Sequence, residues 1–132
     1  MAHGISELRW LLDYELRSSA RYRRFVSLVM CCPGEDDLPS TMKEMLTPTL
    51  RESDECFEVD NAFAILMGDT EGSGALTAVK RYKTHSNGGF DLRFGVAAYP
   101  NDGLFANGLI DAAKKRMETA KACGYGAVVA TG

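Results

Sequence analysis

What this sequence has little of narrows its class first. Its 132 residues hold two histidines, four cysteines, four prolines and one tryptophan. His3 and His85 are too far apart to have metal-ligand spacing. Cys31, Cys32, Cys56 and Cys123 form neither two C-x-x-C zinc pairs nor a disulfide framework. Two of them are adjacent and three sit in apolar surroundings. They therefore read as buried, reduced thiols that pack as small hydrophobes, which points to a cytoplasmic protein. No apolar run approaches the roughly 20 residues that span a bilayer. The stretch from Met1 to Arg9 has no signal-peptide organisation, so membrane insertion is not expected. An excess of basic charge is missing too. The net charge of −3 argues against a general nucleic-acid binder. There is no internal repeat, low-complexity tract or linker.

What is present is ordinary globular material: 45% apolar and 25% charged residues, in a length that suits one domain with a real core. Ile5, Leu8, Leu11, Leu12 and Leu16 recur at helical spacing, which predicts a helix over Ile5 to Arg24, with Ser6 as its cap. The apolar run from Phe25 to Cys31 reads as a central strand, ended by Pro33 and Gly34. Glu35, Asp36 and Asp37 form an acidic loop. Ser40 looks like an N-cap for a helix from Thr41 to about Leu46, with Pro48 interrupting before Arg51. Cys56 to Val59 and Ala62 to Met67 flank Asp60-Asn61, a pair that tolerates the backbone of a tight turn, and so read as a β-hairpin. Further along come a helix from Glu71 to Ser86 with Leu76, Val79 and Tyr82 inward, a break at Asn87-Gly88-Gly89, and a strand from Leu92 to Tyr99. A helix from Leu109 to Cys123 stops at Gly124 and precedes a short strand from Ala127 to Ala130. The order, a helix followed by βαββαβ and a terminal strand, predicts an α+β sandwich. About five mostly antiparallel strands would be covered by helices.

Five stretches in this order carry a resemblance that spans nearly the whole chain. They are Arg21-Tyr22 with Phe25 to Met30, Arg51 to Asp54, Phe63 to Thr70, Phe94 to Gly103, and Ala120 to Gly124. Together they resemble the GGDEF domain, the fold that makes cyclic di-GMP from two GTP molecules. The resemblance implies a sandwich of the ferredoxin-like, nucleotide-cyclase type in one domain over residues 1–132, and the end at Gly132 reads as a cut from a longer protein.

By the same resemblance the catalytic signature falls on Val59, Asp60, Asn61, Ala62 and Phe63, and only Phe63 is kept. The two glycines that let nucleotide lie against the hairpin become Val59 and Asp60. The two acidic residues become Asn61 and Ala62, and the metal-binding aspartate becomes Cys32. The loop from Pro33 to Pro39 is short and lacks the residues that read guanine. Phosphoryl transfer needs Mg²⁺, and Mg²⁺ needs hard oxygen ligands. The expectation is a degenerate, catalytically inactive pseudoenzyme with no metal, no cofactor and no catalytic residue. Its signalling or regulatory role would run through protein contacts. A relocated metal site from Asp60, Glu35, Asp36 and Asp37 is the weaker reading, because acidic loop residues are usually solvated.

Two groups of residues retain a role by resemblance, and others stand out by their own chemistry. Arg51 and Asp54 match the R-x-x-D site that binds cyclic di-GMP as an inhibitor, where the guanidinium fork meets guanine or phosphate. The alternative is an arginine that closes a helix and an aspartate that starts a turn. Lys121 matches a lysine that contacts GTP phosphates and is otherwise a helix-end lysine favoured by the dipole. Arg17, Arg21, Arg23 and Arg24 read as a solvated face or as the contact for an acidic partner or neighbouring domain. Trp10, Tyr14 and Tyr22 are the aromatics to watch for an interface, although Tyr14 and Tyr22 more often mark a core edge. Met30, Met42, Met45, Met67 and Met117 read as core filler. A protein partner, a cyclic dinucleotide and a homodimer are the associations to test; nucleic acid is not.

Overall fold

In a computed structural model, which describes residues 4–34, 39–85 and 91–132, the described residues form four α-helices and one sheet. The order is α1 (Ile5–Tyr22), β1 (Val26–Pro33), α2 (Pro39–Leu46), a 3-10 turn (Thr47–Thr49), β2 (Asp54–Val59), β3 (Ala62–Gly68), α3 (Gly72–His85), β4 (Leu92–Tyr99), α4 (Ala106–Cys123) and β5 (Val128–Val129). The strands lie side by side as β2-β3-β1-β4-β5. All neighbours are antiparallel except β4 and β5. This is the mostly antiparallel α+β sandwich that the sequence predicts. The acidic loop Glu35–Asp37, the break at Asn87–Gly89 and His3 lie outside the described residues.

Strand β1 sits at the centre, and all its residues but the last are buried, which is why its sequence is a continuous apolar run. Alternation sends Leu28 and Met30 to one face and Val29 and Cys31 to the other. On the first face they meet Leu8, Leu12 and Leu16 of α1 and Leu109, Ile110, Ala113 and Met117 of α4. On the second they meet Met42 and Leu46 of α2 and Ala75, Val79 and Tyr82 of α3. Each large apolar side chain so buried contributes roughly 1.5–3 kcal/mol. Helix α4 lies so close to β4 that a Cβ on Gly95 would collide with the Met117 amide nitrogen and the Ala113 carbonyl oxygen.

Several local expectations need correction. Helix α1 ends at Tyr22, not Arg24, because Arg23 turns left-handed at φ 55° and its N–H bonds back to the Ser19 carbonyl. Gly4, not Ser6, is the N-cap, with no side-chain cap bond. Ser40 lies inside α2, which begins at Pro39, where a missing N–H costs nothing. Leu76 faces outward, while the smaller Ala75 and Ala78 let α3 approach the sheet. Cys123, the last residue of α4, is exposed, so it is not a buried thiol; Cys56 is half-buried, and all four cysteines are free. Among the described residues no helix is long and apolar enough to cross a membrane.

Candidate functional site

The hairpin closes at the pair Val59↔Ala62, leaving Asp60 and Asn61 as the turn. Asp60 has φ 57°, a left-handed value that Asp tolerates. Val59, Ala62 and Phe63 are buried packing residues, and only Asp60 and Asn61 of the five are exposed. The tip separates two hollows. A cleft of about 790 Å³ opens toward α2, lined by Lys43, Glu44, Thr47, Pro48, Glu58 and the turn. A smaller one of about 180 Å³ faces α4 and includes Cys32, Asn61, Lys114, Glu118 and Lys121.

The structure therefore brings Cys32, Asp60, Asn61 and Lys121 together. Cys32 is 4% exposed. Burial raises its pKa; the Lys121 ammonium opposes this and the Glu118 carboxylate adds to it. The thiol keeps its proton at neutral pH and is a poor metal ligand in that form. Lys121 is half-exposed and 3.7 Å from the Glu118 carboxylate. Asp60 is exposed at the turn and Glu118 is paired with Lys121; with one carboxamide and one protonated thiol they do not form the converging set of hard oxygen ligands that Mg²⁺ requires. Among the described residues no three His, Cys, Asp or Glu side chains converge.

Arg51 and Asp54 also meet, at the other end of β2. Five strand residues, about 17 Å, separate Asp54 from the end of the hairpin ladder. Oδ2 of Asp54 accepts the Arg51 backbone N–H at 3.1 Å, and the Asp54 N–H donates to the Arg51 carbonyl at 3.0 Å. The two residues thus close a turn. The Arg51 guanidinium is half-exposed and lies 3.5 Å from Asp54 Oδ1 and 3.4 Å from Thr70 Oγ1. The Asp54 carboxylate is only 1% exposed, and its Oδ1 makes no hydrogen bond. Burial, and then the Asp54 charge, push the Tyr82 phenol up to about 12, with the Arg81 and Arg51 cations opposing.

Two ion pairs on the β4–α4 side escaped sequence reading. Arg93 donates to Asp91 at 2.7 Å and to the Lys121 carbonyl at 2.6 Å. Asp91 also accepts the Gly126 N–H at 2.9 Å, and its carbonyl accepts the Gly34 N–H at 2.8 Å. Burial disfavours the Asp91 charge, but the Arg93 and Gly126 hydrogen bonds outweigh it and hold the carboxyl below its ordinary range. Arg116 donates to the Val96 carbonyl at 2.8 Å and to Asp102 at 2.9 Å. The Arg116 bond lowers the Asp102 carboxyl against the cost of burial, with help from the Ala98 N–H. Signals existed for both. Asp91 and Arg93 are opposite charges two residues apart at the start of β4, and Arg116 falls on the apolar stripe of α4, where a charge needs a partner.

At the surface, Arg17, Arg21, Arg23 and Arg24 are exposed. Among the described residues none of them lies within salt-bridge distance of a carboxylate. Tyr14 and Tyr22, with a core edge as the commoner expectation, are 56% and 61% exposed, and Trp10 is 67% exposed.

The sequence matches no protein-family model and no curated protein. The fold does match solved structures. It superposes on the GGDEF domain of YfiN, also called TpbB, from Pseudomonas aeruginosa with a TM-score of 0.87 at 18% identity, covering 99% of this chain and 91% of that one. The active GGEEF domain of a diguanylate cyclase from Vibrio cholerae gives 0.84 at 12%, covering 98% and 97%. The diguanylate cyclase SiaD from Pseudomonas aeruginosa, in complex with its activator SiaC, gives 0.79 at 17%, covering 97% of this chain and 58% of SiaD. At these identities the likeness is one of fold: the chain is a GGDEF-like domain in architecture.

Proposed function

We propose that residues 1–132 form one GGDEF-fold signalling domain that makes no cyclic di-GMP and works through contacts with a protein partner or neighbouring domain. The observation that carries this reading is the donor set of the hairpin hollow. Cys32, protonated and buried, stands where the resemblance expects a metal-binding aspartate. Asn61 and Ala62 stand where it expects two acids, and Val59 and Asp60 put side chains where it expects open backbone. Loss of even one preorganised electrostatic contact costs about 3–4 kcal/mol of transition-state stabilisation. The test is incubation with GTP and Mg²⁺ or Mn²⁺, followed by chromatography of the products. No linear or cyclic dinucleotide is expected; turnover that disappears in Asp60→Ala would overturn the proposal.

A second reading is a cyclic di-GMP receptor at Arg51 and Asp54. Its support is the unmet hydrogen-bonding capacity of Asp54 Oδ1 beside a half-exposed guanidinium. Because that oxygen is covered, the Arg51 side chain has to swing away before guanine N–H groups can reach it. Titration calorimetry decides between the readings: heat that is absent at tens of micromolar ligand, or unchanged in Arg51→Ala, removes the receptor.

A further inference from the structure

The outward face of α1 carries a stripe that the hairpin and the R-x-x-D turn leave unexplained. Glu7, Trp10, Tyr14, Arg17 and Arg21 are all exposed, and they recur at the alternating three- and four-residue spacing of a helix-pairing seam. The stripe lies opposite the residues α1 buries, Leu8, Leu12, Leu16 and Ser19. Trp10 and Tyr14 stack on each other with ring centroids 6.2 Å apart. The stripe is acidic at its start, aromatic in the middle and basic at its end. Glu7 also lines an apolar depression of about 410 Å³ whose far wall, on β2, adds the carboxylate of Glu55.

We propose that this stripe is a self-recognition surface, on which α1 of a second copy of this chain packs antiparallel. Centred on Tyr14, such a pair sets Glu7 against Arg21 of the other copy at both ends. It sets Trp10 against the other copy's Arg17, where guanidinium and indole attract, and Tyr14 against Tyr14. A parallel pair would instead oppose Glu7 to Glu7 and Arg21 to Arg21, so the charge pattern selects the antiparallel one. The contact is isologous, as a two-fold axis demands. The inference is independent of whether the hairpin hollow is catalytic.

Sedimentation velocity of the full chain over a concentration series tests it. A reversible dimer is expected, weakened by high salt because its end contacts are exposed ion pairs. Trp10→Ala with Tyr14→Ala gives monomer. Glu7→Arg and Arg21→Glu each weaken association by about tenfold or more, since two attractive surface pairs per dimer become repulsive. Mixing these two single variants in equal amounts restores association, because each supplies the charge that the other now needs. Residues 7 and 21 are about 21 Å apart along one helix, so that rescue cannot arise within one copy. A chain that stays monomeric to several hundred micromolar, a dimer indifferent to loss of both aromatics, or a mixture that fails to associate overturns the proposal.

Discussion

Arg93 and Arg116, on the β4–α4 side, are each gripped by a carboxylate and a backbone carbonyl, whereas Asp60 and Asn61 at the hairpin tip extend into solvent. The first region orders its charges at the cost of side-chain freedom; the second orders almost nothing. Catalysis of phosphoryl transfer depends on charges held rigidly before substrate arrives. In this molecule the buried charges join β4, α4 and the chain near Gly126, while the turn at the cleft carries exposed ones. On the proposed reading, architecture and chemistry part company here, because the two depend on different residues.

The sharpest way to break this comparison is at Gly95. Gly95→Ala forces a methyl group into the α4 backbone and is expected to cost about 3 kcal/mol or more, read as a lower denaturant midpoint. A variant of unchanged stability would mean that α4 is not held against β4 as described. Next in size is Asp102→Ala, which strands the Arg116 guanidinium, a side chain only 9% exposed. It should cost about 2–4 kcal/mol, and Arg116→Met should cost less because the remaining carboxylate can reach water. The same pair predicts an acid response. Asp91 and Asp102 are held below their ordinary pKa in the folded chain. Their stabilisation is therefore complete above the unfolded value near pH ~4 and is lost as pH falls through the folded value. Melting temperature should drop across that window, and less steeply in Asp102→Asn. The smallest effect belongs to the hairpin tip: Asp60→Gly or Asn61→Gly should change stability by no more than about 0.5 kcal/mol. A large loss there would reveal organisation that the tip does not display.

Much of the fold was legible because its signals are local. The β4 limits, Leu92 to Tyr99, and the Asp60-Asn61 turn were readable from an apolar run and two turn-forming residues. The core of α4 followed from spacing alone. What failed depended on tertiary context. Leu76 is larger than Ala75 and so looked like the inward residue, but close packing of α3 favours the smaller side chains. Residues 24 and 33 show the same limit at strand and helix ends. Pro33 joins β1 because it lies past the last β1–β3 pair, Cys31↔Phe63, and bonds only toward β4. At the candidate site, residue identities were readable around Cys32 and the hairpin, and the closeness of Arg51 to Asp54 was foreseeable from a three-residue separation. The burial of the Asp54 carboxylate was not, since its surroundings include Tyr82, which arrives from α3.

The order of the strands has one further effect. Strand β2 forms an edge of the sheet, a place where another chain could add a strand. Its exposed positions are Glu55 and Glu58, which alternation sends to opposite faces of the sheet, and Glu58 lies 3.4 Å from Lys43 of α2. This edge therefore carries a carboxylate on either side of its backbone, a charged border of the kind that discourages the edge-to-edge pairing of sheets.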